Sequence, residues 1–421
     1  MVDVVWVFAT MVAVLTVTGT LRLPLPVGLI LSAIAGALIA GFGIPFRHLV
    51  EGGFGYLNLI LALFAGAFFG QVLRQSGAAD AIADILVPPQ RRLLALLIAG
   101  VPLFLTGMFT GIAGVAVLTA GTFAAAVLQR ARLPPARAAA YIALMGTLGM
   151  IAPPLNVPAM VMADGVNMPF AGFAISLFVL SLPSAVFAIF TFTRYAEQSP
   201  STASGDITAR GSPRLRAMLG TMSIVGIISF LALIRYWPAL MFDPSIPLVL
   251  VIGGLSGLFM LSGRGWSEVA RQVFSGTPLL LAAVLVAVGV LVQIMALTGV
   301  RGWLVINAMS FQSPAIYAAL AGLPLLGSVL TSIGVSNSLG VPFAFAFIHQ
   351  DMILNISALS ALAALSEFCP PTAISTALAA YVVGTDRLWP IIRAAIPTLV
   401  CLMLLAILML IFNPALAPYL R

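Results

Sequence analysis

Two pairs of adjacent prolines, Pro153-Pro154 and Pro370-Pro371, stand inside long apolar runs. Proline removes a backbone donor and clashes with the preceding helical turn, so a doubled proline must interrupt a helix. Such a break frees carbonyls on one side and exposes the N-terminus of a half-helix on the other. Free carbonyls suit a small cation such as Na⁺, and a helix N-terminus suits an anionic group. The polar side chains nearby are Thr147 and Asn156 at the first break, and Glu367, Thr372, Ser375 and Thr376 at the second. A simple kink is the plain alternative for one Pro-Pro. Two at corresponding positions favour a site.

Two further stretches could hold a ligand. One is TGMFTGIAG, which offers Thr106, Thr110, Gly111 and Gly114. The other is TSIGVSNSLG, which offers Thr331, Ser332, Gly334, Ser336, Asn337 and Ser338. Glycine permits tight reversal and close backbone approach, and the hydroxyls and Asn337 supply hard oxygen ligands. Gly107-x-x-x-Gly111 also reads as a small-residue packing face. Glu367 lies three residues before Pro370 in an apolar run. A carboxylate at membrane depth is expensive and is by default a functional hypothesis. It could ligate a cation, carry a proton, pair with an Arg, or bond to the broken backbone.

These residues must be positioned by membrane helices. The chain has 421 residues, 62% of them apolar and only 7% charged, against about a quarter charged in a soluble domain. Disorder is excluded for the same reason. The fold class expected is an all-α polytopic membrane protein. Ten segments can serve as spans, at about 4–20, 26–43, 56–73, 138–163, 170–193, 217–236, 245–262, 277–297, 352–383 and 390–413. The stretches 93–128 and 314–348 suit re-entrant hairpins, with a pair of short tilted spans as the alternative to each. With two Cys and two His, neither a disulfide framework nor a His-based metal cluster is expected.

All 19 basic residues are Arg. With the N-terminus outside, four of them (Arg47, Arg235, Arg301 and Arg421) fall outside and the other 15 inside, a strong positive-inside bias. The net charge of +7 thus reflects cytoplasmic loops rather than nucleic-acid binding. RGWSEVAR, Arg264 to Arg271, reads as an interfacial helix.

The chain reads as two repeats. Residues 1–193 carry the first hairpin and the first broken helix, at about 138–163. Residues 194–216 form a cytoplasmic linker. Residues 217–421 repeat the arrangement, with the broken helix at about 352–383. Five spans per half is an odd number, so the second half is expected to be inverted. Ser76-Gly77 is echoed by Thr298-Gly299, Thr110-Gly111-Ile112-Ala113 by Thr331-Ser332-Ile333-Gly334, and Pro153-Pro154 by Pro370-Pro371, at offsets of 222, 221 and 217 residues. Inverted repeats with broken helices mark secondary transporters.

The chain resembles the large membrane subunit of TRAP (tripartite ATP-independent periplasmic) transporters, within the ion-transporter superfamily. The segments that carry the resemblance are Ser76-Gly77, the run Gly111 to Thr119, Ala138-Ala139-Ala140, Thr147-Leu148-Gly149, Ile151-Ala152-Pro153-Pro154 and Pro370-Pro371. The sequence departs from the family pattern where Ala113 and Val115 replace two serines, Thr119 an aspartate and Cys369 a threonine. The resemblance implies an elevator-type carrier in a bacterial inner membrane. It would import a small organic anion, often a carboxylate, on a Na⁺ gradient. Its partners would be a small four-helix membrane subunit and a periplasmic substrate-binding protein. No cofactor is expected beyond Na⁺ or H⁺ as coupling ion. A stand-alone carrier without a binding protein is the alternative within transport. An intramembrane enzyme is disfavoured because no reactive constellation is evident. An assembly scaffold is disfavoured because it needs no unwound backbone at mid-depth.

Overall fold

The computed structural model describes residues 3–86, 91–194, 212–236, 244–258, 261, 263–310, 313–347 and 349–420. Most of the expected linker, residues 195–211, lies outside them. The first half contains α1 (Val4–Thr20), α2 (Leu25–Ile39), α3 (Phe46–Phe54), α4 (Leu57–Gln75), α5 (Ala78–Leu86), α6 (Arg92–Thr110), α7 (Ala113–Thr119), α8 (Gly121–Arg130), α9 (Pro135–Ile151), α10 (Val157–Gly165) and α11 (Ala174–Arg194). The second contains α12 (Pro213–Tyr236), α13 (Ile246–Leu258), α14 (Gly263–Val273), α15 (Gly276–Leu297), α16 (Val300–Ser310), α17 (Ser313–Val335), α18 (Val341–Ala346), α19 (Met352–Ala364), α20 (Ile374–Val383), α21 (Leu388–Ile411) and α22 (Asn413–Leu420). A π-helical turn, Ser336–Gly340, joins α17 to α18, and a 3-10 turn, Leu365–Phe368, ends α19.

The chain is a multi-pass helical membrane protein. Among the described residues, seven helices are long and apolar enough to cross a bilayer, or eight if α7 and α8, bent by 58°, count as one span. The apolar runs around the prolines do not form continuous spans. The run at 138–163 is split into α9 and α10, and that at 352–383 into α19 and α20. Pieces of 17 and 9 residues, at 1.5 Å each, fall short of the hydrocarbon thickness. Both Pro-Pro bonds are cis.

Four short helices, α3, α5, α14 and α16, follow or precede the long ones. Of these, only α14 was expected from its sequence. On α3, Phe46, Val50 and Phe54 are exposed at a spacing of four residues, while Gly52 packs against the backbone of Gly289 on α15. That is the pattern of a helix lying along a membrane boundary.

The element order of α1–α11 recurs in α12–α21, and so do backbone details. Left-handed residues end corresponding helices at Gly77 and Gly299, turn corresponding hairpins at Gly111 and Thr331, and follow corresponding half-helices at Asn167 and Gly384. The packing also exchanges. α2 and α3 pack on α15, while α13 and α14 pack on α4. α5 meets α12, and α16 meets α1. Gly107 on α6 lies against Gly149 on α9, and Gly327 on α17 lies against Ser366 beyond α19. At Gly149 an added Cβ would sit 2.2 Å from the Phe104 carbonyl oxygen. Of the two readings of Gly107, helix packing is therefore the one its surroundings support.

Candidate functional site

The hairpins are helix–turn–helix units whose turns are buried. In the first, α6 ends at Gly111 in the left-handed region, and the chain returns through α7 and α8. In the second, Thr331 takes φ 65° and ψ 169° within α17, and the chain returns through the π-helical turn and α18. Thr110, Thr331 and Ser332 are each 1–2% exposed. A connection lying outside the bilayer would be solvated, so burial of both turns fits the re-entrant arrangement.

Each hairpin is packed against the broken helix of the other half. α7 and α8 touch α20, while the π-helical turn and α18 touch α10. The contacts are close. A Cβ at Gly114 would lie 3.0 Å from Leu378, one at Gly165 2.4 Å from Val341, and one at Gly340 2.4 Å from Met162. The two tips and the two breaks thus belong to one interlocked core.

The polar chemistry of that core is concentrated in the second half. Glu367 is 5% exposed. Its Oε1 accepts from the Ser332 hydroxyl at the hairpin tip. Its Oε2 accepts from the Ser375 backbone N–H at 3.1 Å and from the Ser375 hydroxyl at 2.7 Å. The carboxylate therefore ties the tip to the N-terminus of α20, where negative charge is favoured. The Thr376 hydroxyl donates to the Glu367 carbonyl at 3.1 Å. A second tie joins the break to the first leg of the hairpin, because Thr372 donates to the Ser328 carbonyl from its N–H at 3.0 Å and its hydroxyl at 2.6 Å. Pro370 and Pro371 are exposed beside this cluster, and Cys369 is half-buried. Among the described residues no ion pair involves Glu367.

The other hydroxyls of the second tip are turned inward. Ser336 donates to the Ser332 carbonyl at 2.6 Å, and Ser338 donates to the Gly334 carbonyl. The Thr331 hydroxyl accepts from the Gly334 N–H at 3.4 Å. A Cβ on Gly334 would meet Val288 on α15. Asn337 is half-buried and lies beside Tyr56.

In the first half, the hydroxyls of Thr106 and Thr110 bond to the carbonyls of Pro102 and Thr106, both at 2.7 Å, one turn back on their own helix. Among the described residues, no side chain of the other half is hydrogen-bonded to the first tip. Gly111 faces Leu155 and Val157. Thr147 is buried and its hydroxyl has no hydrogen-bond partner. Pro153 is buried and Pro154 half-buried.

Asn156 occupies a structural position. It is 0% exposed, and its Oδ1 caps α10 by accepting from the Ala159 N–H at 2.9 Å. Its Nδ2 donates to the Ile151 carbonyl at 3.1 Å and to the Ser360 hydroxyl at 3.0 Å. The cap thus spans the break and reaches α19 of the other half. Three of the side chain's four hydrogen-bonding positions are used.

The hydroxyls of Thr106, Thr110, Ser336 and Ser338 thus donate to carbonyls of their own segments, which leaves their oxygen lone pairs open. Among the described residues no group of three or more His, Cys, Asp or Glu could hold a metal ion. Ser328 and Ser360 were not foreseen from the sequence. Ser328 sits one turn before Thr331, so a search centred on the hairpin turn could have included it. Nothing in the sequence near Ser360 marks it as the partner of Asn156.

No family model matches the sequence, and no curated protein matches it. Among solved structures, the chain is similar to the YdaH transporter of Alcanivorax borkumensis, described as having an unusual topology, with a TM-score of 0.48 and 14% identity over 87% of each chain.

Proposed function

We propose that this chain is the permease of a secondary active transporter that imports a small organic anion on an ion gradient in a bacterial inner membrane. The observation that carries the reading is the cross-packing of each buried hairpin tip against the broken helix of the other half. Unwound backbone at membrane depth is tolerated where it is enclosed by protein or lines a cavity. Its occurrence twice, in two related halves that meet, matches the way carriers build a central site. The odd number of spans expected per half from the sequence supports inversion, and inversion supports alternation of the site between the two sides. An elevator movement of the interlocked core against the remaining spans is the form of alternation proposed.

The resemblance to the TRAP large subunit supports an organic carboxylate as cargo. It also supports a small four-helix subunit and a periplasmic binding protein as partners. The scaffold alternative leaves the buried tips without a purpose.

Uptake of labelled small carboxylates into proteoliposomes tests the reading. The chain is reconstituted alone, and with a four-helix membrane protein and a periplasmic binding protein encoded beside it. Accumulation that collapses when ionophores dissipate the ion gradients is the expected result. No accumulation in either arrangement, or uptake indifferent to ionophores, would refute it.

A further inference from the structure

We propose that Tyr381 is a catch between the interlocked core and the helices around it, and that its bonds to Gln71 and Gln272 must break before the core can slide. The inference rests on the elevator form of the reading above.

Tyr381 stands in the last turn of α20, the helix that follows the Pro370-Pro371 break. Its hydroxyl leaves the core twice. It accepts from the Gln71 side-chain amide on α4 at 3.0 Å and donates to the Gln272 carbonyl on α14 at 3.2 Å. Both partners depend on it. Gln71 is 3% exposed in an apolar span and its Oε1 has no hydrogen-bond partner, so among the described residues Tyr381 is what holds its amide. The Gln272 carbonyl lies in the last turn of its helix, where no further helical N–H reaches it. The Gln272 amide and Arg271 both donate to Glu268, which fixes this end of α14.

Elsewhere α4 meets the core through small residues. It packs along α7 and α8. A Cβ at Gly70 would lie 2.0 Å from the Leu118 carbonyl oxygen, and one at Gly66 3.3 Å from the Thr119 methyl. The hydroxyls of Thr119 and Thr122 turn to carbonyls of their own segment. Such a face can slide without stranding a polar side chain, and the catch cannot. A slide of one helical turn, about 5.4 Å, takes the Tyr381 hydroxyl out of reach of both partners. It leaves a buried amide unpaired, which is costly. A second polar tie, Arg130 on α8 to Asp84 on α5, has side chains 43% and 58% exposed and is weak by comparison.

The catch is built in one half. At the repeat offsets of 222 and 217 residues, Gln71 matches Gln293 on α15 and Tyr381 matches Asp164 on α10. Gln293 lies against Gly52 on α3, and Asp164 is exposed. The glutamine recurs without a tyrosine to take its amide. The core is thus tied at the end near Arg74, which the arginine distribution places inside.

Thr122 provides a reporter that needs no substrate. It is 7% exposed, and its methyl would lie 3.3 Å from a Cβ at Gly70 on α4. The sequence has two cysteines, so Thr122→Cys with Cys369→Ser and Cys401→Ser leaves one thiol on the sliding face. Its N-ethylmaleimide labelling rate is measured in proteoliposomes at limiting reagent, where the rate follows the population in which α8 has left α4. Gln71→Met should raise the rate about two- to tenfold, the range for one hydrogen bond. Tyr381→Phe removes both bonds and should raise it at least as far. Adding Gln71→Met to Tyr381→Phe should then change it by less than about twofold. Tyr141→Phe removes a bond of the same kind inside the core, 2.8 Å to the Leu96 carbonyl. It should lower the thermal midpoint and leave the rate unchanged.

A rate unaltered by Tyr381→Phe overturns the inference. An equal rise in Tyr141→Phe also overturns it, because that marks general loosening, as does a double variant whose rise is the product of the two. Circular dichroism shows whether each variant is folded, and Thr119→Cys, 2% exposed beside Gly66, replaces the reporter if Thr122→Cys is not. The labelling and uptake assays fail separately. A raised rate without ion-driven uptake sinks the carrier reading, and uptake with a flat rate sinks only the catch.

Discussion

Asn156→Ala separates a structural role from a ligand role at the first break. The side chain caps α10 through Oδ1 and closes two bonds through Nδ2. Loss of an N-cap costs about 1 kcal/mol. The Ile151 carbonyl would lose the donor that reaches it across the break, at about 1–3 kcal/mol for a buried acceptor left unsatisfied. The Ser360 hydroxyl still donates to the Ser357 carbonyl at 2.8 Å, so its lost bond adds little. The expected destabilisation is about 2–4 kcal/mol. Thermal unfolding of the purified protein in detergent should show a clear fall in midpoint. Asn156→Asp keeps the acceptor for Ala159 but turns a carboxyl oxygen toward the Ile151 carbonyl in a fully buried site, so its midpoint should fall at least as far as that of the Ala variant. Uptake at a temperature where the variant is still folded should persist. An unchanged midpoint with uptake abolished would refute the reasoning and return Asn156 to the substrate or ion site.

Gly149→Ala places a Cβ 2.2 Å from the Phe104 carbonyl oxygen, a backbone atom that cannot rotate away. A loss of about 1–3 kcal/mol is expected from overpacking, measured by denaturant unfolding against Gly226→Ala, where nothing lies within 4 Å of the new Cβ. Asp80 on α5, outside the spans, has its carboxyl held above the usual range by burial and then by the neighbouring Asp84 charge. The folded state therefore binds that proton more tightly than the unfolded chain, and stability is lost as pH rises through the carboxyl's folded-state range. Asp80→Asn should raise the thermal midpoint at neutral pH. The gain should vanish on acidification below the ordinary carboxylate range, and a gain that persists there would refute the assignment.

The backbone irregularities of this core were legible in the sequence because prolines and glycines state them directly. Pro153-Pro154 and Pro370-Pro371 do break their helices, and Gly111 and Thr331 do turn the hairpins. Glu367 was legible as an anomaly because an acid in an apolar run has few innocent explanations. Its partners were not. Ser332 and Ser375 lie 35 and 8 residues away, and only the folded hairpin brings the first to the second. Asn156 illustrates the converse difficulty. Beside a Pro-Pro break, an amide that caps a half-helix and one that binds a ligand have the same sequence context, and only the three bonds to Ala159, Ile151 and Ser360 separate them. The short helices α3, α5 and α16 escaped notice because nine or eleven residues of mixed polarity read equally well as loops between spans.

The two halves agree in backbone and differ in chemistry, and the difference has a physical logic. With the hairpins aligned on Gly111 and Thr331, the residue matching Ser332 is Ile112. With the Pro-Pro pairs aligned, those matching Glu367 and Ser375 are Met150 and Pro158. All three members of the acid network are replaced together by apolar residues. A buried polar network is tolerable complete or absent, because an acid without donors leaves an uncompensated charge. The geometric demands of turning a chain inside the membrane fall on both halves, so the breaks, the tight turns and the Gly107–Gly149 and Gly327–Ser366 approaches recur. The ionisable group falls on one. The first tip rests on Leu155 and Val157 and can part from them without stranding a polar atom. The second cannot leave Glu367 without doing so. An unequal pair of tips, one apolar and one latched by charge, is thus a consequence of confining the acid to a single half.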